Sequence, residues 1–222
     1  MRRSYEARGL AEIDLAGDWV TQFRRWLDDA IAADLPEPNA MVLATADADG
    51  RPSARTVLLK GYDVAGLVFY TNYRSRKGRE LAANPWASVV FPWIALARQV
   101  VVVGRVERVP ADRSDAYFAS RPHGSQVGAA ASPQSEVVPD RAALDAAWGR
   151  VGALYPDGTP VPRPEHWGGF LLRPETVEFW QGQVNRMHDR LRYRRAGRSG
   201  ADAGVGTGAG TGGEWVVERL AP

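Results

Sequence analysis

The order of the predicted elements along the chain restricts the fold more than any other feature. Segments with strand character follow one another, and helices interrupt them without a regular strand–helix alternation. A doubly wound parallel sheet needs that alternation, because each parallel strand returns through a crossover. The valine run at residues 100–103 is too apolar for a strand with one wet face, which indicates a central strand. The pattern therefore favours a mainly β protein, an antiparallel barrel with added helices.

Strand and helix signals divide the chain as follows. Strands are predicted at residues 40–45, 53–60, 67–71, 87–91, 99–109, 169–172, 177–181, 187–194 and 214–220, with a hairpin turn at 47–50. Helices are predicted from Trp19, with Asp18 as N-cap, to the prolines at 36 and 38, from Ser75 as N-cap through Ala83, and at 111–120 and 140–154. Residues 197–213 hold eight of the 23 glycines and are predicted to form a flexible, functionally inert hairpin loop.

Composition excludes several classes of protein. A chain of 222 residues, 45% of them hydrophobic, fits one domain over residues 1–222. The absence of cysteine excludes disulfides and thiolate chemistry, and the three histidines lack a metal-binding spacing, so no metal site is expected. No apolar run approaches a membrane span and no signal segment follows Met1, so we expect a cytoplasmic protein without a membrane partner. A net charge of +2 gives no reason to expect nucleic acid.

The two lysines occupy conspicuous positions in a chain with 26 arginines. In a strand, Arg55 and Lys60 face opposite ways, so they would serve different anions; the alternative is a strand with charged ends. Arg76 and Lys77 lie in the first turn of the predicted helix, where cations oppose the helix dipole. A bound phosphate would reverse that penalty, whereas the simpler interpretation is a solvated basic turn.

Two further groups of polar residues could hold a ligand. If residues 187–194 form a strand that begins slightly earlier, Arg186, His188 and Arg190 share one face, and three such groups repel one another unless an anion lies between them. The alternative is a hydrated strand face. Residues 121–126 and 132–135 are interpreted as loops rich in donors, which either bind a ligand or cap helix ends.

Together these motifs resemble the pyridoxamine (pyridoxine) 5′-phosphate oxidase family, nearly from end to end. The matching segments include Arg2-Arg3-Ser4-Tyr5, Arg55-Thr56-Val57-Leu58-Leu59-Lys60, Phe69-Tyr70-Thr71-Asn72, Ser75-Arg76-Lys77, Arg121-Pro122, Trp167-Gly168-Gly169, Glu178-Phe179-Trp180-Gln181-Gly182 and Arg186-Met187-His188-Asp189-Arg190. The resemblance implies a split β-barrel homodimer that binds FMN at the subunit interface with residues of both chains. The sequence departs from the family pattern at Ala130, where Trp is usual, and at Gln183-Val184.

The resemblance also assigns residues to the site. FMN contacts would fall on Arg55, Thr56, Val57, Leu58, Leu59, Lys60, Tyr70, Thr71, Arg76, Lys77, Gln99, Gln134, Ser135, Trp180 and Arg190. Substrate contacts would fall on Arg2, Arg3, Ser4, Tyr5, Lys60, Tyr117, Arg121, Ser125, Arg186, Met187 and His188, with Arg186 and His188 as the catalytic pair. Residues 1–17 would form a segment that covers the substrate.

The implied reaction is oxidation of pyridoxamine or pyridoxine 5′-phosphate at C4′. A hydride passes to N5 of FMN and O2 reoxidises the flavin to give H2O2, while the imine from the amine substrate is hydrolysed to pyridoxal 5′-phosphate and ammonia. Two alternatives stay open at this point. One is a sister flavin oxidase for another small aromatic compound, as in phenazine biosynthesis, and the other is a flavin- or vitamer-binding protein without activity.

Overall fold

One sheet of nine antiparallel strands frames residues 9–197 and 215–222, the part of the chain that the computed structural model describes. The strands are β1 (Ala40–Ala46), β2 (Pro52–Leu58), β3 (Gly61–Asp63), β4 (Gly66–Asn72), β5 (Trp86–Trp93), β6 (Arg98–Arg108), β7 (Trp167–Gln181), β8 (Asp189–Arg195) and β9 (Trp215–Arg219). The helices are α1 (Trp19–Ala32), α2 (Arg76–Ala83), α3 (Ala111–Ala119), α4 (His123–Ala131) and α5 (Arg141–Leu154). The predicted class, antiparallel and mainly β with added helices, is confirmed.

The sheet curls into a split barrel whose strand order is β2-β1-β5-β6-β7-β4-β3. The first half of β7 pairs with β4, and its second half pairs with β8, which in turn pairs with β9. The valine-rich strand β6 lies between β5 and β7 and is central, as its composition predicts.

Helix α1 closes the apolar core on one side of the sheet. It begins where predicted, because the Asp18 carboxylate accepts a hydrogen bond from the Thr21 backbone N–H at 2.8 Å. Phe23 is fully buried against Phe91, with ring centroids 5.0 Å apart. Burial of this apolar face supplies most of the stability of such a helix.

Strand β7 is longer than predicted, since the two segments 169–172 and 177–181 are parts of one strand. Pro174 lies between these segments, and the strand continues past it through an irregularity opposite Val103 and Gly104. Gly104 is required there, because a Cβ at this position would lie 1.9 Å from the Arg173 carbonyl oxygen. The short strand β3 was not predicted at all.

The interpretation of residues 121–126 as a loop is wrong, because helix α4 begins at His123. Gly124 and Gly128 lower the helix propensity of this segment and its alanines give it little amphipathic contrast, so the signal is weak. The Gln126 side chain donates to the carbonyl oxygens of Ala119 and Arg121, which fixes the start of α4 against the end of α3.

Three predictions concern residues that the structure leaves largely undescribed. Arg2, Arg3, Ser4 and Tyr5 lie outside the described residues, as does most of the covering segment 1–17 before Gly9. The glycine-rich stretch 197–213 also lies outside them, apart from Gly197. In the described part, no helix has the length and hydropathy needed to cross a membrane.

Candidate active site

A cleft of about 440 Å³ lies where β2, β4, α2 and the α3–α4 region meet. Eleven of the predicted site residues line it: Thr56, Val57, Leu58, Lys60, Tyr70, Thr71, Lys77, Tyr117, Arg121, Ser125 and Gln134. Pro122 and Trp167 line it as well and were not predicted as site residues. A larger cleft of about 550 Å³ lies between α4 and α5, but its Arg141 is paired with Asp145 at 2.7 Å. The smaller cleft is therefore the better candidate for binding an anion.

The first turn of α2 brings a buried cation to the cleft. The Ser75 hydroxyl caps the helix by accepting a bond from the Gly78 N–H, as predicted. Lys77 is only 7% exposed, and its Nζ donates to the Thr71 hydroxyl at 3.2 Å. Burial, followed by the nearby Arg55 charge, lowers the pKa of Lys77. An ammonium held in this way favours an anionic ligand.

Arg55 does not line the cleft, because a buried carboxylate engages it. Glu80 of α2 accepts hydrogen bonds from Arg76 at 2.8 Å and from Arg55 at 3.3 Å, and also from the hydroxyls of Ser53 and Thr45. Burial alone would raise the pKa of Glu80, but these hydrogen bonds and the Arg55 charge lower it to about 2. Glu80 therefore fixes the two arginines beside Lys77, a role that the sequence pattern did not reveal.

We expect Glu80→Ala to destabilise the protein by roughly 2–3 kcal/mol, because it leaves buried donors without their acceptor. The depressed pKa adds stability that is present above pH 4.5 and is lost as the pH falls toward 2. Urea denaturation at pH 7 and pH 3 measures both effects. The difference in unfolding free energy between variant and wild type should be smaller at pH 3, and an equal difference would contradict this role.

An aromatic stack forms another wall of the cleft. The rings of Tyr70 and Tyr117 stack with centroids 3.9 Å apart, and Tyr70 also stacks on Trp167 at 5.6 Å. Arg121 lies over the Trp167 ring at 4.7 Å, and its Nη1 is buried without a hydrogen-bond partner among the described residues. Burial lowers the pKa of Arg121. An unpaired guanidinium N–H on a residue that lines a cleft is a donor that an anion would satisfy.

Trp167 could have been found from the sequence, since it opens the Trp167-Gly168-Gly169 motif. Two small residues follow it because a Cβ at Gly168 would lie 2.1 Å from the Tyr73 hydroxyl, and one at Gly169 would lie 2.8 Å from the Tyr70 ring. The close approach of Tyr73 and Tyr70 therefore explains why two glycines follow Trp167. Ala130 of α4 packs against the small buried cluster of Phe118, Val127, Val161 and Trp167, so the position that departs from the family pattern is packed.

Gln134 borders the cleft after α4, and the next residue, Ser135, does not line it. The Gln134 Oε1 accepts hydrogen bonds from the Thr71 hydroxyl at 3.2 Å and from the Asn72 N–H at 3.3 Å. Ser135 has a positive φ of 73°, which is uncommon for a residue with a side chain. The hydrogen bonds of Oε1 hold Gln134 next to Thr71, the residue that also accepts a hydrogen bond from Lys77.

A second group of predicted residues lies at the far end of β7. Gln99 of β6 is opposite Trp180 of β7, which is opposite Arg190 of β8. Arg190 donates to both carboxylate oxygens of Glu178, at 2.7 and 3.1 Å. The His188 ring lies 4.7 Å from that of Trp180 and accepts a hydrogen bond from the Gln183 N–H at Nδ1.

The prediction that Arg186, His188 and Arg190 share one strand face is wrong. Strand β8 begins only at Asp189, and residues 184–186 form a 3₁₀ turn. Asn185 and Arg186 have positive φ values of 55° and 63°, which no strand contains. The turn leaves Arg186 and Met187 exposed. Backbone strain of this kind clusters at functional sites.

The two groups of residues are far apart within one chain. Trp167 belongs to the cleft and Trp180 to the second group, and the two lie thirteen positions apart on β7. With a rise of about 3.3 Å per residue, roughly 40 Å of strand lies between them. Each group therefore contains only part of the predicted set of site residues.

The curled antiparallel sheet with its flanking helices and polar cleft defines a split-barrel protein. Residues 27–155 match the family model described as pyridoxamine 5′-phosphate oxidase, and residues 167–222 match the pyridoxine 5′-phosphate oxidase C-terminal dimerisation region. The chain belongs to the pyridoxamine 5′-phosphate oxidase family, and it is an enzyme of that family.

Relatives similar to the full chain carry the same family name. The pyridoxine/pyridoxamine 5′-phosphate oxidase of Salinispora arenicola is 60% identical, with 100% of this chain and 95% of the relative covered. That of Cupriavidus necator is 52% identical, with 100% and 97% covered. Among solved structures, PhzG from Burkholderia lata, in complex with tetrahydrophenazine-1-carboxylic acid, has a TM-score of 0.83 at 32% identity, with 98% of this chain and 100% of that chain covered.

Proposed function

We propose that this enzyme uses FMN to oxidise pyridoxamine and pyridoxine 5′-phosphate to pyridoxal 5′-phosphate, with O2 as the electron acceptor and H2O2 as a product. The observation that carries the proposal is the presence of two separate cationic positions in one cleft, Lys77 on α2 and Arg121 before α4. Each position suits one phosphate, so together they suit a phosphorylated cofactor and a phosphorylated substrate. The family membership agrees with this assignment.

The Lys77 end of the cleft fits the FMN phosphate. Among the described residues, the buried Lys77 ammonium has one hydrogen-bond partner, the Thr71 hydroxyl. Arg55 and Arg76, which both bind Glu80, add positive charge beside it. The other proposed FMN contacts on β2 and β4 keep their assignment from the family resemblance, as does Leu59, which follows β2 and packs its side chain into the main core. When bound, FMN supplies the acceptor for the hydride and transfers the electrons to O2.

The Arg121 end fits the substrate phosphate. Arg121 offers an unpaired N–H, while Lys60 and Ser125 are exposed at the same cleft and supply further donors. Burial raises the pKa of Tyr117, so its hydroxyl stays protonated and can donate as well. The aromatic stack limits the width of the cleft and excludes water from one wall.

The residues of the second group would complete the cleft of another copy of the chain. Two separated half-sites and a match to a dimerisation region both support a homodimer with composite sites. In that arrangement Gln99, Trp180 and Arg190 would contact FMN across the interface. Arg186 and His188 would hold the pyridine ring of the substrate, with Met187 beside them.

A sister oxidase for phenazine precursors is the second candidate, since the PhzG structure is similar over the full chain. The donors around Arg121 argue against it, because an unphosphorylated aromatic substrate would leave them unsatisfied. A vitamer-binding protein without activity is disfavoured by membership of an enzyme family.

One assay separates these candidates. The purified protein is examined for a flavin spectrum and mixed with pyridoxine 5′-phosphate, pyridoxamine 5′-phosphate or a dihydrophenazine carboxylate under air. We expect yellow protein, an aldehyde product and peroxide with either phosphorylated vitamer. Turnover of the phenazine compound alone would favour the sister oxidase, and flavin without product would contradict the proposed activity.

Lys60→Arg should raise the substrate KM several-fold and leave the FMN Kd unchanged. Lys60 lines the cleft as a compact point charge, and a planar guanidinium presents its donors in a different geometry. Steady-state kinetics with pyridoxine 5′-phosphate, together with flavin fluorescence titration, measure the two constants. Equal KM values in variant and wild type would show that Lys60 does not contact the substrate.

A further inference from the structure

A hydrogen-bond network of Arg219, Asp189, Leu10 and Glu12, called the latch below, contacts the turn that carries Arg186 and His188. Arg219, at the end of β9, donates to the Asp189 carboxylate from Nη1 at 2.7 Å and to the Leu10 carbonyl oxygen from Nη2 at 3.0 Å. It also binds both carboxylate oxygens of Glu12, at 2.7 and 3.0 Å. The Leu10 N–H donates to the other Asp189 oxygen at 3.0 Å, which closes the network.

The conformation of the turn between β7 and β8 depends on hydrogen bonds at its two ends. Residues 184–187 are exposed, and two of them have positive φ. Within the turn, the Met187 N–H donates to the Val184 carbonyl oxygen and the Gln183 N–H donates to His188 Nδ1. On the β7 side the Gly182 N–H binds the Ala97 carbonyl oxygen at 2.7 Å. On the β8 side the latch contacts Asp189, the residue after His188.

We propose that Arg219 is a positioning residue, which holds Asp189 between β9 and the segment at Leu10–Glu12 and thereby fixes the conformation of the turn that presents Arg186 and His188. The inference rests on the proposed function, since it concerns the residues proposed to hold the substrate ring. It adds Arg219, Asp189 and Glu12 to the residues on which activity depends.

The geometry requires an arginine at this position. One planar guanidinium bridges two carboxylates and a backbone carbonyl oxygen, which a lysine ammonium does not match. Hydrogen bonding to Arg219 lowers the pKa of Glu12 to about 2, so Glu12 stays ionised at neutral pH and the network remains intact. Leu10 is 6% exposed and packs into the main core, so the latch joins the turn to a fixed part of the molecule.

Arg219→Gln tests the proposal, with Arg192→Gln as its matched control. Arg192 lies on the neighbouring strand and binds Glu218 at 2.6 Å, so the control removes an equivalent ion pair from the same strand pair. We expect faster amide hydrogen exchange in peptides 9–16 and 183–189 of Arg219→Gln only. The KM for pyridoxine 5′-phosphate should rise roughly tenfold, as expected for lost substrate binding, while the FMN Kd stays within about twofold.

Glu12→Gln keeps the Asp189 contact and should give a smaller change in the same direction, which preserves the test if Arg219→Gln folds poorly. Unchanged exchange in peptide 183–189 would overturn the proposal, as would faster exchange with an unchanged KM. If the wild-type protein oxidises neither vitamer, the proposed function fails, and the exchange measurement alone decides whether Arg219 holds the turn.

Discussion

Lys77→Met should weaken FMN binding by roughly tenfold to a hundredfold, the range expected for a lost charge-assisted hydrogen bond to a phosphate. The FMN-free variant should be at least as stable as the FMN-free wild type. Lys77 is buried with a lowered pKa, so its ammonium opposes folding until an anion binds, and a methionine of similar length removes that cost. Fluorescence titration gives the FMN Kd, and thermal unfolding of the FMN-free proteins gives the stability.

Arg79→Met is the control, because Arg79 lies on the same helix but is exposed and bonded to Glu136. It should leave the FMN Kd unchanged. A pH series adds an independent check: since the folded pKa of Lys77 lies below 10.5, the unfolded chain binds more protons there, and stability of the FMN-free wild type rises as pH approaches 10.5. Lys77→Met should lack that rise. A destabilised variant with normal FMN affinity would show that Lys77 is only structural.

Lys77→Arg should also raise the FMN Kd, although it conserves the charge. The side chain is almost fully enclosed and approaches Thr71 at 3.2 Å, so a wider guanidinium needs space that the packed turn lacks. FMN affinity equal to that of the wild type would show that charge alone matters at this position.

The local signals in the sequence predicted most of the fold. Asp18 and Ser75 cap helices where expected, because capping depends on one side chain and the backbone next to it. Long strands such as β6 were also found, since periodicity over many residues is a strong signal. Helix α4 was missed because its glycines and alanines give little periodicity, and its position is set by Gln126 binding the end of α3.

Tertiary contacts account for what the sequence did not reveal about the site. Glu80 is an ordinary helical glutamate in the sequence, and only the folded chain places it between Arg55 and Arg76. The turn at Asn185 and Arg186 could not be expected from alternation, because positive φ at two non-glycine residues goes against local preference. The resemblance to the family named Arg186 as a site residue without giving its conformation.

Arg186→Ala should lower kcat at least a hundredfold, the cost typical of losing a group that orients a substrate, while the FMN Kd changes less than about twofold. Arg186 is exposed and lies in a strained turn, away from the cleft that holds the proposed FMN phosphate site. Purified flavin-loaded variants assayed with pyridoxine 5′-phosphate measure the loss. Arg24→Ala, which removes an exposed arginine from α1, should behave as the wild type.

Arg186→Gly separates the strain of the turn from its chemistry. Glycine adopts a φ of 63° without the penalty that a Cβ carries, so the unfolding free energy should stay equal or rise by about 1 kcal/mol. Its kcat should nevertheless fall as far as that of Arg186→Ala, because both variants lack the guanidinium. If Arg186→Gly retained full turnover, the side chain would have no part in the reaction, and the positive φ at this position would be a feature of the turn alone.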